Sequence, residues 1–177
     1  YLQMLTQIGR EGYGSDIDFA KAVVEATLIR TFNNVHRITI RGEAGVIKTN
    51  SFDEVPTSLR FYAGGDKSVR GFDYREISPT AEVIDPETGE LIVDSIGGKY
   101  LATSSVEYAY QVADNWRVAA FVDAGTATND TSTTLTYSVG PGVHWLSPIG
   151  PVRLYVARGF APDENTWQLH ILLGPEL

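Results

Sequence analysis

Cysteine is absent from the 177-residue chain. That excludes a disulfide framework or a thiolate metal site, and is compatible with passage through an oxidising periplasm. Long apolar runs are missing too. No stretch approaches the roughly 20 consecutive apolar residues of a membrane-spanning helix, because Arg, Glu or Gly breaks each candidate. A helical membrane protein is thereby excluded, although 43% of residues are hydrophobic. Positive charge is scarce: 14 Lys and Arg face 22 Asp and Glu, for a net charge of −8. With no basic stripe either, nucleic acid drops out as a partner. Neither an initiator Met nor a signal peptide is present, so Tyr1 reads as a cut inside a longer chain. His36, His144 and His170 are far apart in sequence and lack a nearby Cys or paired-carboxylate pattern. They signal neither a metal site nor a Ser/His/Asp triad. The expectation is a protein with no catalytic residue, no metal and no cofactor, and not an enzyme.

What the chain does have is alternation. Segments near residues 1–8, 16–32, 35–49, 98–112, 116–127, 134–147, 151–160 and 166–176 alternate apolar and polar residues with period 2, as strands with one greasy and one wet face would. Tyr100, Ala102, Val106, Tyr108 and Tyr110 share one face, opposite Lys99, Thr103, Ser105 and Glu107. Ile38, Ile40, Ala44 and Val46 oppose Arg37, Thr39, Arg41 and Glu43, and Trp116, Val118, Ala120 and Val122 oppose Arg117 and Asp123. The wet faces thus carry charge. Most segments are at or above the roughly 9–11 residues of a tilted membrane crossing, whereas strands of soluble sheets usually have about 5–6.

Connections alternate short and long. Asn33-Asn34, Ala113-Asp114-Asn115 and Ser147-Pro148-Ile149-Gly150 are tight turns, while 9–15, 50–97, 128–133 and 161–165 are longer and mostly polar. Short turns on one rim and long loops on the other is how outer-membrane barrels are built. Aromatics on the greasy faces make two girdles: Tyr110, Trp116 and Trp145 beside short turns, and Tyr100, Tyr137 and Trp167 near long loops. A soluble β-sandwich also alternates and turns on Gly and Pro, and is the competing fold at this point.

The long connection at 50–97 contains no convincing strand pair. Its acidic part, residues 82–94, reads as a segment that keeps the loop solvated, with ion binding as the alternative. Gly65-Asp66-Lys67-Ser68 lacks the glycine spacing of a phosphate loop. The specific string is Phe61-Tyr62-Ala63-Gly64-Gly65-Asp66-Lys67-Ser68-Val69-Arg70-Gly71-Phe72. It resembles the long loop of the BamA/TamA assembly-factor superfamily, whose Arg-Gly-aromatic tip folds back into the barrel lumen. The likeness continues through Gly97-Gly98-Lys99-Tyr100, Ser105-Val106-Glu107-Tyr108, Phe121-Val122-Asp123-Ala124-Gly125 and Trp145-Leu146-Ser147-Pro148-Ile149-Gly150-Pro151. The ending Leu173-Gly174-Pro175-Glu176-Leu177 is similar to TamA-type chains in particular.

By parity Glu107 and Asp123 fall on wet faces of consecutive strands, which leaves two carboxylates side by side in a lumen. Like charges so placed repel unless a cation is supplied. An Arg on an inserted loop meets that need with a planar, permanently charged fork. The resemblance implies that Arg70 plays this part toward Glu107 and Asp123. Gly64, Gly65 and Gly71 suit tight or positive-φ turns or ordinary flexible loop. Phe72 packs either on the barrel wall or on its own loop.

Trp167, Leu169, Ile171 and Leu173 form a lipid-facing row on the closing strand. Gly174 weakens that strand and Pro175 lacks an N–H, so a short, weak seam is expected, with a frayed ordinary terminus as the alternative. Taken together, residues 1–177 read as the C-terminal half of a sixteen-stranded, antiparallel, all-β transmembrane barrel. Eight strands and one long inserted loop are present; the N-terminal half and periplasmic receptor domains lie elsewhere. The resemblance implies an outer-membrane location and insertion or translocation of client β-barrel or autotransporter proteins through the first-to-last strand seam. The partners it implies are outer-membrane lipid, those clients and an inner-membrane-anchored protein. Competing readings are a two-partner-secretion pore and a self-contained eight-stranded structural or adhesive barrel, whose side-chain-filled lumen would not admit the loop.

Overall fold

A computed structural model of the chain describes residues 1–12, 17–84, 89–130, 135–162 and 165–174. Ten strands run β1 (Leu2–Gly9), β2 (Phe19–Phe32), β3 (His36–Thr49), β4 (Thr80–Ile84), β5 (Leu91–Ser95), β6 (Tyr100–Ala113), β7 (Trp116–Thr128), β8 (Thr136–Ser147), β9 (Gly150–Phe160) and β10 (Asn165–Leu173). Eight of them form one sheet in the order β1-β2-β3-β6-β7-β8-β9-β10, every neighbour antiparallel. All eight alternating segments are therefore strands. The sheet follows chain order except where the 50–99 connection leaves between β3 and β6.

Strand ends are set by turn chemistry. Asn33 and Asn34 both have positive φ, and Val35 N–H closes the turn on Phe32 C=O at 3.2 Å. Asn adopts this mirror-image turn readily, and its twist matches that of the flanking strands. A register shift between Gln111 and Ala113 precedes the β6–β7 turn. Pairing of β8 with β9 is interrupted at Gly140 and Pro141, where proline has no N–H to give.

One face of the sheet is apolar and open. Val106, Tyr108, Tyr110, Val118, Val122, Val139, Val143, Leu154 and Val156 are exposed on it, and the Trp116 and Trp145 rings stack there at 5.9 Å beside the short turns. At the long-loop end Tyr137 stacks on Phe160 at 4.9 Å. An apolar band flanked by aromatics matches a bilayer rather than water. Val122 lies midway along β7, so Val122→Lys in the full-length protein is expected to cost roughly 2–4 kcal/mol of barrel stability. The measurement is the fraction of heat-modifiable, folded protein on gels, and no loss there would remove the lipid from this face.

The opposite face carries the loop. Short 3₁₀ turns at Phe52–Glu54 and Thr57–Leu59 start it, and two isolated bridges, Phe61 with Gly98 and Ala63 with Ile77, tie it down. Its apolar side chains Val55, Phe61 and Ala63 bury against Phe19, Ile47, Leu101 and Ala127 of the wall and against Ile17 just before β2. Lys21 Nζ lies 4.5 Å from the Phe61 ring centroid. The core is thus between loop and sheet, in what would be the lumen. One expectation needs correction: the connection does contain a strand pair, the β4–β5 hairpin, with Ile84 opposite Leu91 and Thr80 opposite Ser95. Val83-Ile84 and Leu91-Ile92-Val93 are β-formers on either side of Pro86 and Gly89, and that signal outweighs the interspersed acids. Glu82, Glu90 and Asp94 are exposed on this hairpin.

Candidate functional site

Arg70 sits at the loop tip and is 1% exposed, although it is the largest fully buried side chain described. A planar guanidinium can be buried only where each edge finds an acceptor. Asp123 on β7 takes two bonds from it, Nε to Oδ2 at 2.8 Å and Nη2 to Oδ1 at 2.9 Å, and accepts the Arg70 backbone N–H at 3.0 Å. Glu107 Oε2 on β6 accepts from Nη1 at 2.6 Å, and Ser105 Oγ from Nη2 at 3.2 Å. The ring faces of Phe121 and Tyr155 lie 3.6 and 4.5 Å from its Cζ. Burial alone pushes the Arg70 guanidinium down, but the hydrogen bonds and charges of Asp123 and Glu107 reverse this and raise it, so it stays cationic.

The register explains the fit. Glu107 pairs with Phe121 and Ser105 with Asp123, so the two carboxylates are diagonal neighbours on the inner face with a gap between them. The guanidinium fills that gap. Around it the wall is continuous: Arg41 Nη2 reaches Ser105 Oγ at 3.3 Å, and the Tyr155 hydroxyl meets His144 Nε2 at 2.8 Å. His144 Nε2 also lies 3.4 Å from Glu107 Oε1.

Backbone geometry places the tip. Gly64, Gly65 and Gly71 have φ of 101°, 95° and 91°, which side-chain-bearing residues rarely adopt. Gly65 N–H bonds to Phe72 C=O at 3.1 Å, Ser68 N–H to Gly65 C=O at 3.1 Å, and Gly64 N–H to Ser68 Oγ at 3.3 Å. Val69 is buried in the space left by Gly125, beside Thr103. Phe72 is buried on the barrel wall, its ring over Gly159 of β9, which decides between the two placements considered for it.

On β10, Trp167, Leu169, Ile171 and Leu173 face outward and exposed, while Thr166, Gln168 and His170 face inward. The strand ends at Gly174, whose φ is 103°. Pro175 and the two residues after it lie outside the described residues. Thr166, Gln168, His144 and His170 are not among the site residues expected from the sequence. They meet the loop and its anchors only through the topology of the sheet, and their one sequence signal is a polar position on the wet face of a strand. No cluster of three or more metal-ligating side chains occurs among the described residues.

The fold is matched among known proteins. The Omp85 superfamily domain model matches residues 1–174. The chain belongs to the Omp85 superfamily. Among curated Omp85 relatives, "Outer membrane protein assembly factor BamA" of Nitratidesulfovibrio vulgaris is 34% identical over 166 residues, covering 90% of this chain and 20% of the relative. The protein of the same name from Neisseria meningitidis serogroup B is 29% identical over 197 residues, covering 91% and 24%. Among solved structures, that of BamA from Haemophilus ducreyi lacking POTRA domains 1-3 has a TM-score of 0.76 at 20% identity, over 98% of this chain and 38% of that one, a likeness of fold. The chain spans only about a fifth to a quarter of the curated relatives it matches. As an Omp85 barrel segment it is a bacterial outer-membrane protein.

Proposed function

We propose that this Omp85 chain is the C-terminal half of a sixteen-stranded barrel that inserts client β-barrel or autotransporter proteins into the outer membrane, making and breaking no covalent bond. Periplasmic receptor domains precede it in the whole protein, and an inner-membrane-anchored partner assists where autotransporters are the clients. Clients enter the bilayer by conditional opening of the first-to-last strand seam. Two features favour a labile seam: β10 spans nine residues against fourteen in β2, β3 and β6, and it ends at a glycine.

The observation that carries the reading is the buried Arg70–Asp123–Glu107 constellation. A surface adhesin has no need to bury a charged loop tip against its wall at the desolvation cost this entails; a two-partner-secretion pore shares the loop motif, and the relatives named outer membrane protein assembly factor favour assembly over secretion. The loop lock holds the lumen in its working geometry, with Gly64, Gly65, Ser68, Val69, Gly71 and Phe72 shaping the tip around Arg70.

Arg70→Lys tests it. Lysine keeps the charge and loses the fork, so one point charge must serve where three side chains now accept. In the full-length protein the variant is expected to lower the rate of client insertion into liposomes severalfold while its own barrel stays folded. An unchanged rate would remove the lock from the mechanism.

A further inference from the structure

The loop tip is gripped on a second side. Gly71 N–H donates to His170 Nε2 at 2.8 Å, the Thr166 hydroxyl donates to Gly71 C=O, and Gln168 Nε2 donates to Asp73 Oδ1 at 3.0 Å. His170 Nδ1 meets the Asp66 carboxylate. Because Nε2 accepts, the proton of the neutral ring is on Nδ1, pointing at Asp66. Thr166, Gln168 and His170 are successive inward positions of β10 and all three address the tip, while the next, Leu172, packs against Phe121, Tyr155 and Ala157. β10 is paired with β9 along all nine residues, and among the described residues no strand lies on its other edge.

Arg70 and Gly71 are adjacent, yet they are held by different strands. The side chain of one is fixed to β6 and β7, and the backbone of the other to β10. We propose that Thr166, Gln168 and His170 form a latch by which the inserted loop holds the last strand, with His170 the positioning residue that fixes Gly71 between them. Displacing the tip then unloads β10, and pulling β10 outward withdraws the acceptor from Gly71. The relevance to client entry rests on the seam proposed above, whereas the latch itself is a property of this strand and this loop.

The test is hydrogen exchange by mass spectrometry on the full-length protein in lipid nanodiscs. His170→Phe keeps a ring of similar size and leaves the buried Gly71 N–H without an acceptor. His170→Gln puts a carbonyl oxygen near the place of Nε2. Exchange of the β10 amides and of residues 64–74 is expected to quicken on the order of tenfold in His170→Phe, to stay near wild type in His170→Gln, and to be unchanged in β7 for both.

Wild-type exchange in His170→Phe, or equal acceleration by Phe and Gln, overturns the latch. Should the Phe variant not fold, Thr166→Val removes the hydroxyl bond to Gly71 C=O and is expected to quicken the same amides; no change there overturns the latch as well. Fast β10 exchange in His170→Phe together with normal client insertion by Arg70→Lys keeps the latch and discards the assembly lock. The reverse pair discards the latch alone.

Discussion

Arg70→Ala in the full-length protein is expected to free the loop tip from the wall. It takes away the guanidinium that bonds to two buried carboxylates at once, Asp123 at 0% and Glu107 at 6% exposure, and makes them tolerable beside one another. Breaking a buried pair by removing one member costs roughly 3–5 kcal/mol, because the partner's charge is left uncompensated. Here two charges are left, and the side chain also gave up two aromatic contacts. The Val69 and Thr103 methyl groups flank the same point above Gly125, so the pair Val69→Cys and Thr103→Cys reports docking by disulfide formation in native outer membranes. Efficient crosslinking with Arg70 present and more than a hundredfold less with Ala is the expected pattern. Equal crosslinking in both backgrounds would mean that apolar packing of Phe61 and Phe72 alone seats the loop.

A comparably large loss is expected from Gly71→Val. A Cβ at this position would stand 3.0 Å from Gly159 N and 3.2 Å from both Gly159 Cα and Ser138 Cβ. These contacts are mainly with the backbone of β9, which cannot swing aside as a side chain would. Valine is β-branched and disfavours a φ of 91° in its own right, by about 1–3 kcal/mol. The displacement also breaks the bonds to His170 and Thr166. Gly89 is the built-in control, since its φ is 73° but no atom lies within 4 Å of a Cβ there. Gly89→Val therefore carries strain without collision. Thermal unfolding followed by gel mobility should show a large fall for position 71 and a small one for position 89; equal falls would deny the close approach of loop and wall.

Much of this architecture was readable before any coordinates, for a physical reason. A strand with lipid on one side and a watery lumen on the other must alternate over its whole length, so parity assigned Val122 outward and Asp123 inward correctly. Parity assigns a face but not a height along the strand. That Glu107 stands opposite Phe121, one diagonal from Asp123, depends on the β6–β7 register, which the shift at Gln111 and Ala113 helps to set. His144 and His170 are distant in sequence and fit no ligand spacing, so the sequence alone gives them no role. Only the pairing of β8 with β9 and of β9 with β10 brings them toward the loop. The β4–β5 hairpin is masked in the sequence for another reason. Its acids read as solvation, while in a two-stranded ribbon both faces are wet and acids alternate harmlessly with Val83 and Ile92.

The tip's contacts also impose an order of events on folding. The loop leaves the sheet between β3 and β6, yet its anchors lie on β6, β7, β9 and β10, with β8 against Gly71. Those five strands follow the loop in the chain, so a tip already emerged from its own translocation has nothing complete to bind. Its full complement of partners exists only once β10, the last of these five to arrive, has zipped onto β9. Docking is therefore completed late, when these five strands are all present, and a chain truncated before Thr166 would carry a loop without its bonds to β10 however well its earlier strands had paired.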